Sequence, residues 1–327
     1  MRGYRYIVFL IAAILLAGCQ REPEVSLGVR KCTPFPAGGR ASACACVLDG
    51  KAYVFAGRDK KSGGYKNDLW EYNPEIDTWS NLGAAPMKPR VNATMAAYDG
   101  KIYAGLGYSD THAYRDSAYQ QDWWEYTVET GTWKRLSDFP SANTVDAHSY
   151  VVNGKIYVLY GFGYGFTRDI WIYDPSENSW SARADNLDRA KRCAGGCGAM
   201  KDGILYFGTG YYTMNLTGWK SADLDTDSWR ESASIPGKGR EFSACAASEQ
   251  YIYLFGGRHF AGDMTGGEVF NTYMRYSPDK NRWEWCGTMP CGRAENLIAF
   301  SIDGKVYFGL GENGKGEIID HLYCIEE

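Results

Sequence analysis

The sequence has few histidines and prolines, 4 and 11 among 327 residues, and no large excess of charge of either sign. A net charge of −4 argues against a general binder of the nucleic-acid backbone, which needs clustered excess lysine and arginine. No two cysteines have the C-x-x-C spacing, so a zinc ribbon or thioredoxin-type site has no support. No apolar run is long enough to span a bilayer comfortably.

Tyrosine, tryptophan and glycine are abundant instead, at 25, 11 and 39 residues. A chain that is 45% hydrophobic and 23% charged is not disordered, and its length allows one large domain or two smaller ones. Many aromatic residues and glycines with few prolines predict short strands and turns rather than a helical bundle.

The first residues have the form of an export signal. Arg2 and Arg5 precede an apolar run that ends in Leu16-Ala17-Gly18-Cys19, which resembles a bacterial lipobox. We expect a lipoprotein signal peptide over residues 1–18, lipidation at Cys19 and a tether over residues 19–24. The protein would then be exported and held at the outer membrane by its lipid alone, with or without exposure at the cell surface. An ordinary signal peptide or a short membrane anchor is the alternative.

Nine cysteines remain after Cys19, an odd number, so at least one of them is free or pairs between chains. Cys193 and Cys197 form a C-x3-C pair, which is a weak metal signal. We predict no metal site, and cysteines that act mainly as small buried hydrophobic residues.

One pattern, Tyr-x3-Gly, recurs six times at intervals of roughly fifty residues. The pairs are Tyr53/Gly57, Tyr103/Gly107, Tyr157/Gly161, Tyr206/Gly210, Tyr253/Gly257 and Tyr307/Gly311. An Asp-Gly or Asn-Gly dipeptide precedes five of the tyrosines and predicts tight hairpin turns. The fifth copy has Glu249-Gln250 at this place, so its turn must differ.

A second pattern, Tyr-x6-Trp, follows in most copies, as in Tyr72/Trp79 and Tyr276/Trp283. Each copy therefore predicts a four-stranded sheet with two apolar faces, which is stable only when its neighbours cover both. Six such sheets stacked radially predict an all-β, six-bladed propeller over residues 25–327. The last copy lacks a fourth strand, and residues 25–33 are expected to supply it and close the ring.

These motifs resemble the kelch repeat along residues 25–324. The family usually has a glycine doublet after the second strand, and only Gly256-Gly257 keeps it here. The other five copies replace the first glycine with Ala56, Leu106, Tyr160, Thr209 and Leu310.

Binding residues are expected in the loops at one mouth of the central channel. Aromatic rings and histidines there suit the stacking and directional hydrogen bonds of sugar recognition, although packing between loops or on a partner protein is the alternative. The candidates are Tyr108, His112, Tyr164, Tyr211 and His259. A second series of candidates consists of arginines suited to carboxylate capture, unless they pair with acids and carbonyls between blades. These are Arg40, Arg90, Arg192, Arg240 and Arg293 at the corners that precede the inner strands, and Arg58 and Arg258 in the loops.

Bacterial kelch propellers include sialic acid mutarotases, so the resemblance also implies an enzymatic alternative. Glu241 and Glu295, or alternatively Asp59 or Glu312, would then move the proton while arginine holds the sugar acid, and we expect no cofactor. We expect a lipid-anchored propeller that binds a glycan, a sugar acid or a surface protein. The alternative function is a mutarotase or epimerase that acts on a sugar acid such as N-acetylneuraminate.

Overall fold

The computed structural model describes residues 24–59, 64–109, 118–141, 144–162, 169–184, 193–260 and 267–327. Within these ranges, the strands form six four-stranded antiparallel sheets and one two-stranded ribbon. Among the same residues, no helix is long and apolar enough to cross a membrane. Because each sheet packs on the next along the chain, the fold is the predicted six-bladed propeller.

The first three blades take their four strands in chain order, from the channel outward. Blade 1 consists of β2 (Cys44–Leu48), β3 (Lys51–Phe55), β4 (Asp68–Asn73) and β5 (Thr78–Ala84). Blade 2 consists of β6 (Thr94–Tyr98), β7 (Lys101–Gly105), β8 (Trp123–Thr127) and β9 (Thr132–Arg135). Blade 3 consists of β10 (His148–Val152), β11 (Lys155–Leu159), β12 (Asp169–Asp174) and β13 (Ser179–Ala184).

Blades 4 and 5 repeat this order, and blade 5 also carries the ribbon. Blade 4 consists of β14 (Cys197–Lys201), β15 (Ile204–Gly208), β16 (Trp219–Asp223) and β17 (Ser228–Ser232). Blade 5 consists of β18 (Ala244–Ala247), β19 (Ile252–Phe255), β22 (Thr272–Ser277) and β23 (Arg282–Thr288). Its ribbon, β20 (Arg258–His259) with β21 (Glu268–Val269), lies between β19 and β22.

Blade 6 combines the two ends of the described chain. Its inner strands are β24 (Ile298–Ile302), β25 (Lys305–Gly309) and β26 (Leu322–Glu326), and its outermost strand is β1 (Gly28–Lys31). β1 pairs antiparallel with β26, with Gly28 opposite Glu326 and Lys31 opposite Tyr323.

The hairpin turns follow from the sequence. In all five Asp-Gly or Asn-Gly turns both residues have positive φ, for example 49° at Asp49 and 71° at Gly50. Such values are those of the tight turns that match strand twist. The fifth turn differs, because the Ser248 side chain accepts bonds from the backbone N–H groups of Gln250 and Tyr251.

Where another residue replaces the first glycine of the doublet, the backbone keeps the conformation that glycine favours. The five replacement residues all have φ between 56° and 63°, a left-handed conformation that is uncommon outside glycine. All five are buried, so packing holds them in place. The second position of the doublet is glycine in all six copies, and Gly57 shows the physical reason. A Cβ there would lie 2.7 Å from the carbonyl oxygen of Ala41.

The Tyr-x6-Trp residues connect neighbouring blades. In blade 1, the Tyr72 hydroxyl donates to Asp77 over 2.7 Å, and the Trp79 indole N–H donates to the carbonyl of Thr33 in blade 6 over 3.0 Å. Blades 3 and 5 repeat the tryptophan bond to the preceding blade. Blade 4 has Ala222 at the tyrosine position, and Trp229 there donates to Asp227 of its own turn.

The hydrophobic core lies between blades rather than in one centre. Each of its clusters combines residues of two neighbouring sheets, as with Phe255 of blade 5 and Phe308 of blade 6, whose ring centroids are 4.2 Å apart. Tyr160 of blade 3 stacks on Phe207 of blade 4 at 4.0 Å in the same way. The loops at either end are therefore held by a rigid ring.

Candidate functional site

Six equivalent residues define one mouth of the channel, and we call them the rim. Each of them directly follows a repeat glycine and forms an isolated β-bridge with the residue that leads into the inner strand. The rim residues are Arg58, Tyr108, Phe162, Tyr211, Arg258 and Glu312. Their bridge partners are Ala41, Val91, Val145, Ala194, Glu241 and Glu295.

A second ring of six residues, which we call the collar, lies one step further along each inner segment. It consists of Ser42, Asn92, Asp146, Gly195, Phe242 and Asn296, all with φ between 53° and 62°. Backbone bonds connect neighbouring collar residues, for example from Phe242 N–H to Gly195 O over 2.7 Å and from Asn92 N–H to Ser42 O over 3.0 Å. Collar and inner strands enclose a cavity of about 230 Å³, which has room for several water molecules.

Blades 5, 6 and 1 supply the charged half of the rim. Arg258 pairs with Glu295, and Arg58 pairs with Glu312, each over 2.5 Å. The Asn296 side chain also donates to Glu312 over 3.0 Å. The two arginine side chains remain 32% and 33% exposed, whereas Glu295 is 3% exposed. Each acid is therefore more buried than the arginine with which it pairs.

Glu241 is a carboxyl group with an unusual proton affinity. Burial raises its pKa to about 7, against the lowering effects of Asn215 and the Arg258 charge, and Glu295 adds to the rise. Burial also raises the pKa of Glu295, in spite of the ion pair with Arg258. A carboxyl group that titrates near neutrality is suited to accept and return a proton.

Asp146 is the ionisable residue of the collar. Burial, with a smaller contribution from the negative charge of Glu241, raises its pKa to about 7. It lines the cavity and belongs to blade 3. The charge of Glu241 therefore influences the ionisation of Asp146.

Blades 2, 3 and 4 supply the aromatic half of the rim. Tyr108 lies edge-on to Tyr65 and Tyr119 with centroid distances of 6.2 and 5.5 Å, and Tyr211 lies edge-on to Phe260 at 6.1 Å. Phe162 is 39% exposed. Tyr108 and Tyr211 therefore make ring contacts between loops, which were expected as the alternative to sugar binding.

Three of the predicted corner arginines are buried between strands and do not reach the mouth. Arg40 makes two bonds of 2.9 and 2.8 Å to Asp68, and Arg90 makes two of 2.7 and 2.9 Å to Asp122. Arg240 donates to the carbonyl of Gly256, and burial lowers its pKa to about 10. These side chains are 1%, 0% and 3% exposed. Pairing with acids and carbonyls, which was the alternative to ligand binding, accounts for the placement of these three arginines.

The remaining predicted residues have varied placements. Arg293 is exposed at blade 5, where it donates to the carbonyl of Val269. His259 is half-buried, with Nδ1 2.8 Å from the carbonyl oxygen of Gly239. Neither residue lines the cavity. The candidates Cys19, His112, Tyr164 and Arg192 lie outside the described residues.

Of the rim and collar residues, the sequence offered Glu312 as an alternative proton-transfer group, whereas Asp146 and Phe162 were not among the chosen site residues. A signal for two of them was present in the sequence, because Phe162 and Glu312 directly follow the repeat glycines, as Arg58 and Arg258 do. Asp146 had a weaker signal in the sequence, where it is only one residue of the corner that precedes the inner strand of blade 3.

Cysteines do not form a metal centre in the described ranges, where no cluster of three or more potential ligands occurs. The nine cysteines of these ranges are all free, and five of them are buried. Cys44, Cys197 and Cys245 line the cavity. Burial raises the pKa of Cys44 to about 12, so its thiol stays protonated at neutral pH.

The class of protein follows from the repeat and the ring. The chain belongs to the kelch-repeat family, since the model for the KLHDC2/KLHL20/DRC7 kelch-repeats domain matches residues 25–209 and the kelch motif matches residues 243–290.

The chain is also similar to bacterial proteins with the name of an epimerase. The chain is 26% identical to the N-acetylneuraminate epimerase of Pasteurella multocida, over 86% of this chain and 77% of that protein. It is also 26% identical to the enzyme of that name from Haemophilus influenzae, over 89% and 78% respectively. A solved structure described as "Structure of YjhT" superimposes with a TM-score of 0.76. It is 17% identical, covers 90% of this chain and 99% of the other, and supports the fold alone.

Proposed function

We propose that the protein interconverts the anomers of a carboxylated sugar such as N-acetylneuraminate at the charged half of the rim. The observation that carries the proposal is the combination, on one side of the mouth, of two partly exposed arginines with a glutamate whose pKa is about 7. The similarity to N-acetylneuraminate epimerases along most of the chain supports the same reaction class.

Arg58 and Arg258 would bind the sugar carboxylate. Each is held on one side by an acid and keeps about a third of its side chain exposed, so further N–H groups are available to a ligand. Arginine forms paired, charge-assisted bonds to carboxylates, which fix orientation as well as affinity. The pKa of Glu241, which is about 7, reduces the negative charge of this residue near a bound anion at neutral pH.

Glu241 would carry out proton transfer. Anomer exchange requires removal of the proton from the anomeric hydroxyl and delivery of a proton to the ring oxygen. The bond from the anomeric carbon to the ring oxygen then breaks, a carbonyl forms, and closure on the other carbonyl face gives the second anomer. A carboxyl group with a pKa near the working pH can serve in either direction.

The test is anomer exchange of N-acetylneuraminate, started from a freshly dissolved single anomer and followed by proton NMR. We expect residues 20–327 to accelerate exchange, and Glu241→Gln to lower kcat by about 10² to 10⁴. The matched control is Glu268→Gln, because Glu268 belongs to the same blade but forms an exposed ion pair with Lys238. An unchanged exchange rate with the wild-type protein would contradict the proposal.

Non-catalytic binding of a glycan or a partner protein is the second candidate function. The exposed Phe162 ring favours it, since an exposed ring suits stacking with the apolar face of a sugar. Binding of N-acetylneuraminate or of other glycans without faster exchange would support this function over the epimerase.

We also propose that Cys19 carries a lipid and that the propeller is displayed at the outer membrane. The proposal is supported by the lipobox-like sequence alone. Expression in a Gram-negative host with labelled fatty acid should label the wild-type protein and leave Cys19→Ser unlabelled and soluble. Equal labelling of both proteins would contradict lipidation at Cys19.

A further inference from the structure

Asp146 differs from every other residue of the collar. Its five counterparts are Ser42, Asn92, Gly195, Phe242 and Asn296, none of which is ionisable. Among the described residues, its carboxylate forms no hydrogen bond and no ion pair. It nevertheless lines the cavity and is half-buried. The strained backbone is not special to this position, because all six collar residues share it. The carboxyl group is therefore the feature that needs an explanation.

Gly195 is the collar residue between Asp146 and Phe242, and it lies beside Glu241. It is the next collar residue after Asp146, and its φ is +62°. A Cβ at this position would lie 2.9 Å from the Phe242 ring and 3.4 Å from the Cβ of Glu241. A side chain here would crowd the side of the mouth that faces Glu241. Glycine therefore avoids crowding beside Glu241, whose charge acts on Asp146.

We propose that Asp146 is the second proton-transfer group of the mouth and acts together with Glu241 on a substrate bound between them. This inference rests on the proposed function. Anomer exchange needs one group that removes the proton from the anomeric hydroxyl and one that protonates the ring oxygen. Two carboxyl groups that hold a single proton between them supply both, and ring closure returns each group to a form ready for the next turnover.

The surrounding charges allow the pair to titrate near neutral pH. Glu241 is the charged group that acts on Asp146, and Arg258 and Glu295 act on Glu241. His148 also lines the cavity, two residues further along the chain, but burial lowers its pKa to about 4, so its ring is neutral. Each carboxyl group has a pKa of about 7. The two groups should therefore titrate as a coupled pair.

The first experiment measures kcat and KM for N-acetylneuraminate exchange against pH. Asp146→Asn is nearly isosteric, and asparagine tolerates the left-handed backbone, so the fold should persist. We expect kcat to fall about 100-fold with KM within about threefold, and one limb of the bell-shaped pH profile to disappear. The matched control, Asp138→Asn, removes an exposed carboxylate of blade 2 and should keep the wild-type profile.

The second experiment needs no activity. Carbon-13 NMR of labelled carboxyl groups should give an Asp146 midpoint near 7 in the wild-type protein, and Glu241→Gln should lower it by about one unit or more. An Asp146 midpoint near 4 that is the same in wild type and in Glu241→Gln would overturn the proposal that the two carboxyl groups act together. An active wild-type protein whose Asp146→Asn variant retains kcat would overturn the role of Asp146 alone. A wild-type protein without activity would overturn the proposed function, and this role with it, even where the titration shows coupling.

Discussion

The two halves of the rim have the same backbone and opposite chemistry. Blades 5, 6 and 1 place Arg258, Glu312 and Arg58 after their repeat glycines, whereas blades 2, 3 and 4 place Tyr108, Phe162 and Tyr211 there. The repeated blade structure sets the positions of the six rim residues, and their side chains decide what each half can bind. A carboxylated sugar has one anionic group and one apolar ring face, and the two halves match these features in turn.

Arginines on the rim should contribute less to the free energy of unfolding than the buried arginines in the corners. Arg90→Ala should lower the free energy of unfolding by about 3–5 kcal/mol, because it leaves the Asp122 carboxylate without its partner inside a blade seam. Arg58→Ala should change it by less than about 1 kcal/mol, because the pair is partly exposed. Urea unfolding of both variants provides the measurement. Equal losses would show that the rim arginines are also structural.

The charged half should dominate substrate affinity. Arg58→Leu and Arg258→Leu should each raise KM for N-acetylneuraminate about 10- to 100-fold, which corresponds to roughly 1.4–2.7 kcal/mol of lost carboxylate binding. Tyr108→Leu, at the equivalent position of the other half, should change KM by less than about threefold. If the tyrosine variant loses more affinity than the arginine variants, the assignment of the halves is reversed.

Asp146 predicts a pH dependence of stability. Its folded pKa of about 7 lies above the ordinary aspartate value, so the folded protein holds this proton more tightly than the unfolded chain does. The associated stability is present below about pH 4 and is lost as the pH rises to about 7. A difference of about three pKa units corresponds to about 4 kcal/mol, and solvent screening of the half-buried carboxyl group reduces this figure. Asp146→Asn, which has no such proton, should therefore become more stable relative to wild type by roughly 1–2 kcal/mol between pH 4 and pH 8.

Thermal unfolding of the two proteins across this pH range tests that prediction. Asp138→Asn is again the reference, since its carboxylate is exposed. A stability difference between Asp146→Asn and wild type that stays constant with pH would contradict the raised pKa.

The aromatic half should contribute the smallest effect. Phe162→Ala should raise KM by about two- to fivefold and leave kcat unchanged, because a stacking ring adds affinity without taking part in proton transfer. Kinetics with Phe162→Leu as control separate stacking from simple burial. A large fall in kcat for Phe162→Ala would place this half closer to the chemistry than we propose.

The spacing of the repeat residues predicted the fold well, because each motif determines structure within a short stretch of chain. The Tyr-x3-Gly and Asp-Gly signals fix hairpins within a few residues, and the Tyr-x6-Trp residues mark the contacts between blades. The candidate site was harder to predict, because the direction of a side chain depends on its neighbours in the next blade. Arg40 and Arg58 belong to the same blade region, yet one turns to Asp68 inside the seam and the other to Glu312 at the mouth.

We propose that the charged half of the rim binds a sugar carboxylate during anomer exchange. The most direct measurement compares exchange of N-acetylneuraminate with exchange of its methyl ester under the same conditions, with one preparation of the wild-type protein. We predict strong acceleration for the free acid and little or none for the ester, because only the acid can pair with Arg58 and Arg258. Equal acceleration of both would contradict carboxylate recognition, and no acceleration of the acid would contradict the function itself.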